Sequence, residues 1–175
     1  MKASLASYPK QVRTQALIAQ ELEHVSDARV VGHIRRLLVE PKAVLRNWDY
    51  GQPGEQYPCW TVLCDDDSNT GICYCENGFG PRNPWGLVWL GGDSDNHMSI
   101  GMDCGWFGTF MDAYFDSFAS TELPIRRVFK TPSSGVREPV TDEGSWDATW
   151  ERIAECRKAD PASRYDCGHA IIHRR

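Results

Sequence analysis

Residues 64–76, CDDDSNTGICYCE, place carboxylates, an amide and three thiols in one short stretch, the ligand types of hard and of soft metal ions. Counted from Asp65, oxygen-bearing side chains fall at positions 1, 3 and 5 (Asp65, Asp67, Asn69), an apolar residue at 8 (Ile72) and a glutamate at 12 (Glu76), the order of a calcium-binding loop. The register fails at position 6, where such a loop turns sharply on a glycine: Thr70 stands there and Gly71 follows one residue late. The flanks, CWTVLC and ICYCE, are strand-like rather than helical. The stretch therefore reads as a β-hairpin with a solvated acidic turn, because Asp, Asn, Ser and Gly are also the residues that turns select.

With Cys64 opposite Gly71, Val62 faces Cys73 and Trp60 faces Cys75 on one side of the hairpin, while Leu63 faces Ile72 and Thr61 faces Tyr74 on the other. Both sides are then largely apolar, so the hairpin is expected to be central and covered on both faces. Cys64, Cys73 and Cys75 are expected to be buried, reduced and inert.

Two further groupings suggest chemistry. Cys156, Cys167, His169 and His173 follow the order of a Cys2His2 zinc site, but ten residues separate the two cysteines, where zinc fingers place roughly two to four. Neither candidate site has the spacing of a metal centre, and no metal or other cofactor is expected. Cys104, in GMDCGWF just before an aromatic helical stripe, is the best-placed thiol for nucleophilic catalysis, and Asp103 and His97 are the alternative reactive groups. No GxSxG elbow, Walker loop, dinucleotide GxGxxG or HExxH is present, and GFGPRNP has glycines without the helix that phosphate cradling needs.

The third signal is charge. Asp65, Asp66 and Asp67, and Asp93 and Asp95, sit in turns at the ends of expected strands. At one end of a sheet they would form a negative rim suited to a basic protein. Trp85, after Arg82 in the irregular loop GFGPRNPW, would line a neighbouring groove together with Trp89, whereas Trp60, Trp106, Trp146 and Trp150 sit on apolar stripes and read as core.

The elements that position these residues follow from periodicity. Val12, Ala16, Ile18, Ala19, Leu22 and Val25 predict an amphipathic helix over 10–25. Segments 29–38, 43–48, 57–64, 72–76 and 86–90 read as strands of an antiparallel sheet of about five or six strands. Phe107, Phe110, Met111, Tyr114, Phe115 and Phe118 give a helix near 106–118. A further strand is expected over 124–130, a loop over 131–140, a C-terminal helix near 142–157 and a polar tail from about residue 159.

The fold class is thus α+β, in one globular domain over 1–175. A net charge of -5 and a pI near 5.5 argue against a phosphate-binding surface, so nucleic acid is not an expected partner. No apolar run approaches the roughly 18 residues of a membrane span. MKASLASYPKQ lacks a secretory apolar run, and an odd number of cysteines points to reduced thiols and a cytoplasmic setting. Two functions remain open. One is a non-enzymatic binding protein whose acidic turns engage a basic partner, similar in general character to small acidic inhibitor or immunity proteins though without a shared motif. The other is a small cysteine- or aspartate-dependent enzyme with a pocket under the 77–85 loop. Oligomeric state is not set by the sequence.

Overall fold

The computed structural model describes residues 8–48, 50, 52–77, 79–91 and 102–171. It is an α+β protein, with four α-helices, a five-stranded antiparallel sheet and a three-stranded antiparallel sheet among the described residues. The chain forms two compact units, one running to Ala119 and the other beginning at Ser120. Among the described residues no helix is long and apolar enough to cross a membrane.

In the first unit, helix α1 (Tyr8–Glu23) buries Thr14, Ile18 and Leu22 at four-residue steps, the stripe expected of an amphipathic helix. Helix α2 (Ala28–Leu37) replaces the strand expected over 29–38. Its buried residues, Val30, His33 and Ile34, recur at helical spacing, and the Val30-Val31 pair that suggests a strand is a weak preference overridden by this packing. Asp27 caps the helix: its carboxylate accepts from the Arg29 amide at 2.8 Å and pairs with the Arg29 guanidinium at 2.6 Å, which lowers its pKa.

Strands β1 (Leu38–Asn47), β2 (Gln56–Asp65), β3 (Thr70–Tyr74), β4 (Trp85–Trp89) and β5 (Trp106–Phe107) follow one another in the sheet in that order. The β2–β3 hairpin is central, as expected, and every residue of β3 is buried. Pairing starts as the sequence implies, with Cys64 opposite Gly71 and Leu63 opposite Ile72. It then shifts, so that Thr61 faces Cys73 and Trp60 faces Tyr74. The extra residue on β2 is Val62, a β-bulge that alternation alone does not reveal. A second irregularity, between Leu38 and Lys42 on β1, holds Pro41, which has no amide hydrogen to give a ladder and is tolerated on an edge strand.

Helix α3 (Phe110–Asp116) is shorter than the expected 106–118, because Trp106 and Phe107 pair with β4 as β5. Thr109 caps it, and Glu21 of α1 accepts from the amides of Phe110 at 3.0 Å and Met111 at 2.9 Å. A carboxylate from another helix thus satisfies two amides that a helix start leaves without intrahelical partners. His33 of α2 meets the Tyr114 hydroxyl of α3 at 2.7 Å, and Phe110 packs on Trp85 of β4 with ring centroids 5.4 Å apart. These contacts gather α1, α2 and α3 on the Trp85 side of the sheet. The opposite side holds Cys59, Cys73, Cys75, Val88 and Trp106, with Trp48, Tyr57, Phe79 and Leu90 packed against them.

The second unit pairs strands β6 (Arg126–Thr131), β7 (Glu138–Pro139) and β8 (Arg164–His169) in the order β7-β6-β8, with helix α4 (Trp146–Ala159) packed on them through Val128, Ile153 and Tyr165. Strand β8 occupies residues expected to be a polar tail, and β7 lies inside the expected loop. Along β8 Tyr165 is buried and Cys167 packs against the same cluster, while the charged and small residues around them leave the segment with little apolar signal in the sequence. Trp150 is corrected from core to surface at 42% exposure, and Ala154 is exposed too; the buried side chains of α4 are Thr149 and Ile153. Trp146, half-buried, lies 5.1 Å below the Arg126 guanidinium.

Candidate functional site

The acidic turn divides into one structural carboxylate and two solvated ones. Asp65, at the end of β2, is only 8% exposed and accepts the Ser68 hydroxyl at 2.5 Å, while Ser68 and Thr70 hydroxyls meet at 2.6 Å. Asp66 and Asp67 are exposed. The turn closes through Asn69 at φ 54°, a left-handed conformation that asparagine tolerates better than most side chains. Asp65 therefore folds the turn and is withdrawn from the surface, whereas Asp66 and Asp67 present charge.

Strand β4 leaves the sheet against this same turn. The Leu90 amide donates to the Asn69 carbonyl at 3.0 Å, and a Cβ on Gly91 would stand 3.2 Å from the Asn69 side-chain oxygen. Asp93 and Asp95 follow Gly91 in sequence by two and four residues and lie outside the described residues. A groove of about 450 Å3 opens beside the turn, with Asp66, Cys64 and Leu90 meeting Glu40, Lys42 and Arg46 of β1. Arg46 is only 2% exposed and donates to the Trp89 carbonyl at 3.0 Å. Nothing in the sequence distinguishes Arg46 from an ordinary polar residue of an edge strand; the sheet alone makes it part of this site.

Two larger or more apolar concavities have weaker chemistry. In the second unit a groove of about 810 Å3 lies between α4 and the segment after β7. Two of its arginines are paired with its own glutamates, Arg127 with Glu143 at 3.4 Å and Arg152 with Glu155 at 2.5 Å. In the first unit Ile18 and Leu22 of α1, Val39 of β1 and Val62 line an apolar recess of about 320 Å3.

The remaining expected site residues that are described are not brought together. Trp85 is 2% exposed, held between Tyr74 and Phe110 at centroid distances of 5.0 and 5.4 Å, so it belongs to the core and cannot anchor a partner from the surface. Arg82 is exposed on the loop before β4. Cys104 is exposed in a 3-10 turn, Met102–Gly105, and α3 begins only at Phe110 behind its own cap; the helix terminus invoked to activate this thiol is not beside it. His97 and His173 lie outside the described residues, as does the side chain of Asp103. Cys156 and Cys167 both pack against the Val128 cluster. Among the described residues no group of three or more His, Cys, Asp or Glu side chains is placed to hold a metal ion.

All seven cysteines are outside disulfides. Cys73 and Cys75 are buried as expected, but their neighbour is Cys59, and Cys64 is half-exposed instead of core. A hydrogen bond with Cys73, together with burial, pushes the Cys59 thiol far up, and burial with the nearby Asp66 charge raises Cys64. Thiols held in this way are poor nucleophiles. The chain matches no protein-family model, no curated protein and no solved structure in comparisons with all three.

Proposed function

We propose that the first unit is a non-enzymatic binding module that takes a basic segment of another protein at the acidic end of its five-stranded sheet. The observation that carries this reading is the contact of Leu90 and Gly91 with Asn69, which starts the Asp93- and Asp95-bearing stretch at the Asp66-Asp67 turn. Charge distribution supports it: residues 1–119 contain fifteen Asp and Glu against nine Lys and Arg, while the rest of the chain is nearly balanced. An excess confined to one unit creates a local field that attracts cationic surfaces and raises their association rate. The buried Arg46 guanidinium directs a basic side chain toward the exposed turn carboxylates and away from the groove floor. A cytoplasmic setting belongs to the same proposal.

The test compares two charge reversals of equal size. Asp66→Lys with Asp67→Lys alters the turn; Glu23→Lys with Asp116→Lys alters exposed acids at the ends of α1 and α3. Association of short lysine- and arginine-rich peptides should slow about tenfold in the turn variant and far less in the control, and both effects should fade as salt rises. Equal slowing by the two pairs would show that only total charge matters and would overturn the site.

A further inference from the structure

At the opposite end of the same sheet three aromatic rings meet: Trp48, which follows β1, Tyr50, in the connection to β2, and Phe79, in the loop between β3 and β4. Their centroids are 5.7 Å (Trp48 to Tyr50), 5.4 Å (Trp48 to Phe79) and 5.9 Å (Tyr50 to Phe79) apart, and their planes cross at 67°, 62° and 90°. Three mutually steep walls at such separations describe the corner of a box. For square walls meeting at a cube corner, the centre lies about 4 Å from each face, well inside the ~6 Å within which a cation is attracted by a ring. Tyr50 is 55% exposed, while Trp48 and Phe79 are half-buried with their inner sides on the core. Among the described residues the cation–π contacts are made by Arg126 with Trp146 and Arg137 with Phe129, elsewhere in the chain.

A carboxylate is connected to one wall of this corner through Tyr57. Glu55 accepts the Tyr57 hydroxyl at 2.7 Å and the Gln52 amide at 3.0 Å, and the Tyr57 ring packs on Trp48 at 6.1 Å. These hydrogen bonds keep Glu55 below the usual glutamate range, hence ionised. The chemistry selects among cations. A primary ammonium is strongly hydrated and needs acceptors for three N–H groups, which ring faces supply poorly. A quaternary ammonium has no N–H to satisfy and gives up water more readily, and its methyl groups fill an aromatic corner while its charge meets the ring quadrupoles.

We propose that Trp48, Tyr50 and Phe79 form a binding site for a quaternary ammonium group, with Glu55 as its flanking counter-charge. The site is independent of the acidic end and does not rest on the function proposed there.

The experiment is an NMR titration of the full chain that follows the Trp48 indole resonance, assigned with Trp48→Phe. The probes are choline and its uncharged carbon isostere 3,3-dimethylbutan-1-ol. Choline should shift the resonance saturably, and the isostere should bind at least about tenfold more weakly, because shape is matched and only charge is lost. Tyr50→Leu, at an exposed position that leaves the core intact, should weaken choline about tenfold, and Glu55→Gln should weaken it several-fold. Asp66→Lys with Asp67→Lys should leave it within about twofold. A trimethyl-lysine peptide assigns the source: tighter binding than choline marks a methylated protein, weaker binding a small molecule, and either supports the site. Equal response to choline and isostere, no response to choline, or indifference to Tyr50→Leu would each overturn it, the rings then being packed on one another with no room between.

Discussion

The two ends of the five-stranded sheet connect the same buried strands with different materials. At the Asp66 end the connection is polar: a short turn held by Asp65, Ser68 and Thr70, with two carboxylates left in solvent. At the Trp48 end the loops between β1 and β2 and between β3 and β4 close with aromatic rings, and its carboxylates Glu55 and Glu76 are engaged, Glu55 by the Tyr57 hydroxyl and Glu76 by Arg13 at 3.2 Å. A polar turn is held by a few directional bonds and tolerates charge, whereas an aromatic closure spreads its stabilisation over area and ring geometry. In the functions proposed above, the first end attracts a charged partner at long range and the second makes close contact with a specific cation.

The sharpest way to break this contrast is to add a single methyl group near each end. Gly71→Ala, beside the acidic turn, would place Cβ 2.5 Å from the Leu63 carbonyl oxygen and 2.9 Å from Leu90. Backbone cannot yield cheaply, so the loss should reach about 3 kcal/mol, the upper part of the usual overpacking range. Gly86→Ala, near the aromatic end, would have atoms of the Trp106 ring as its nearest neighbours, at 2.9 to 3.1 Å, and a tilting ring should limit the loss to about 1–2 kcal/mol. Urea unfolding gives both values. A larger loss for Gly86→Ala would show that the aromatic end is the more rigid of the two.

A smaller effect separates the carboxylates of the turn. Asp65→Asn keeps size but weakens the acceptor for Ser68, and should cost about 1 kcal/mol. Asp66→Asn and Asp67→Asn, both exposed, should change stability by no more than about 0.5 kcal/mol. Equal costs at all three positions would dissolve the division between a structural and a presented carboxylate.

The smallest effect is a pH window at the aromatic end. Hydrogen bonding to Tyr57, and then to the Gln52 amide, lowers Glu55 from its ordinary 4.5, so its contribution is present above pH 4.5 and lost as pH falls through the lower folded value. The same bond raises Tyr57 above its ordinary 10.0, so that contribution is present below pH 10 and lost as pH rises through the folded value. The Trp48 indole resonance should hold steady between these limits and move outside them, and Glu55→Gln should abolish the acid-side movement. An unchanged acid limb in that variant would assign the titration to another group.

Much of the architecture was legible from local pattern. The apolar spacing of α1, the aromatic stripe of α3 and the turn residues between β2 and β3 each encode structure within a few residues, where periodicity and turn chemistry operate. Helix α2 misled because paired valines and a glycine resemble a strand, while the signal that decides it, burial of Val30, His33 and Ile34 together, exists only once α3 and the sheet are in place. Trp85 misled in the other direction: a tryptophan after a Gly- and Pro-rich loop looks available until Tyr74 and Phe110 close over it.

The sequence by itself determined an α+β chain with a central hairpin, an acidic turn and thiols suited to a core. Tertiary structure alone decided which of those features act together. Whether Asp65 is structural and Asp66 is presented depends on the packed sheet burying one carboxylate of the turn and leaving its neighbour in solvent. The adjacency of Gly91 and Asn69, the burial of Arg46, the pairing of Cys59 with Cys73 and Cys75, and the corner formed by residues 48, 50 and 79 all join segments that are remote along the chain. Such pairings are set by strand order and by the Val62 bulge, and these depend on the packing of several elements at once, which no local window of residues records.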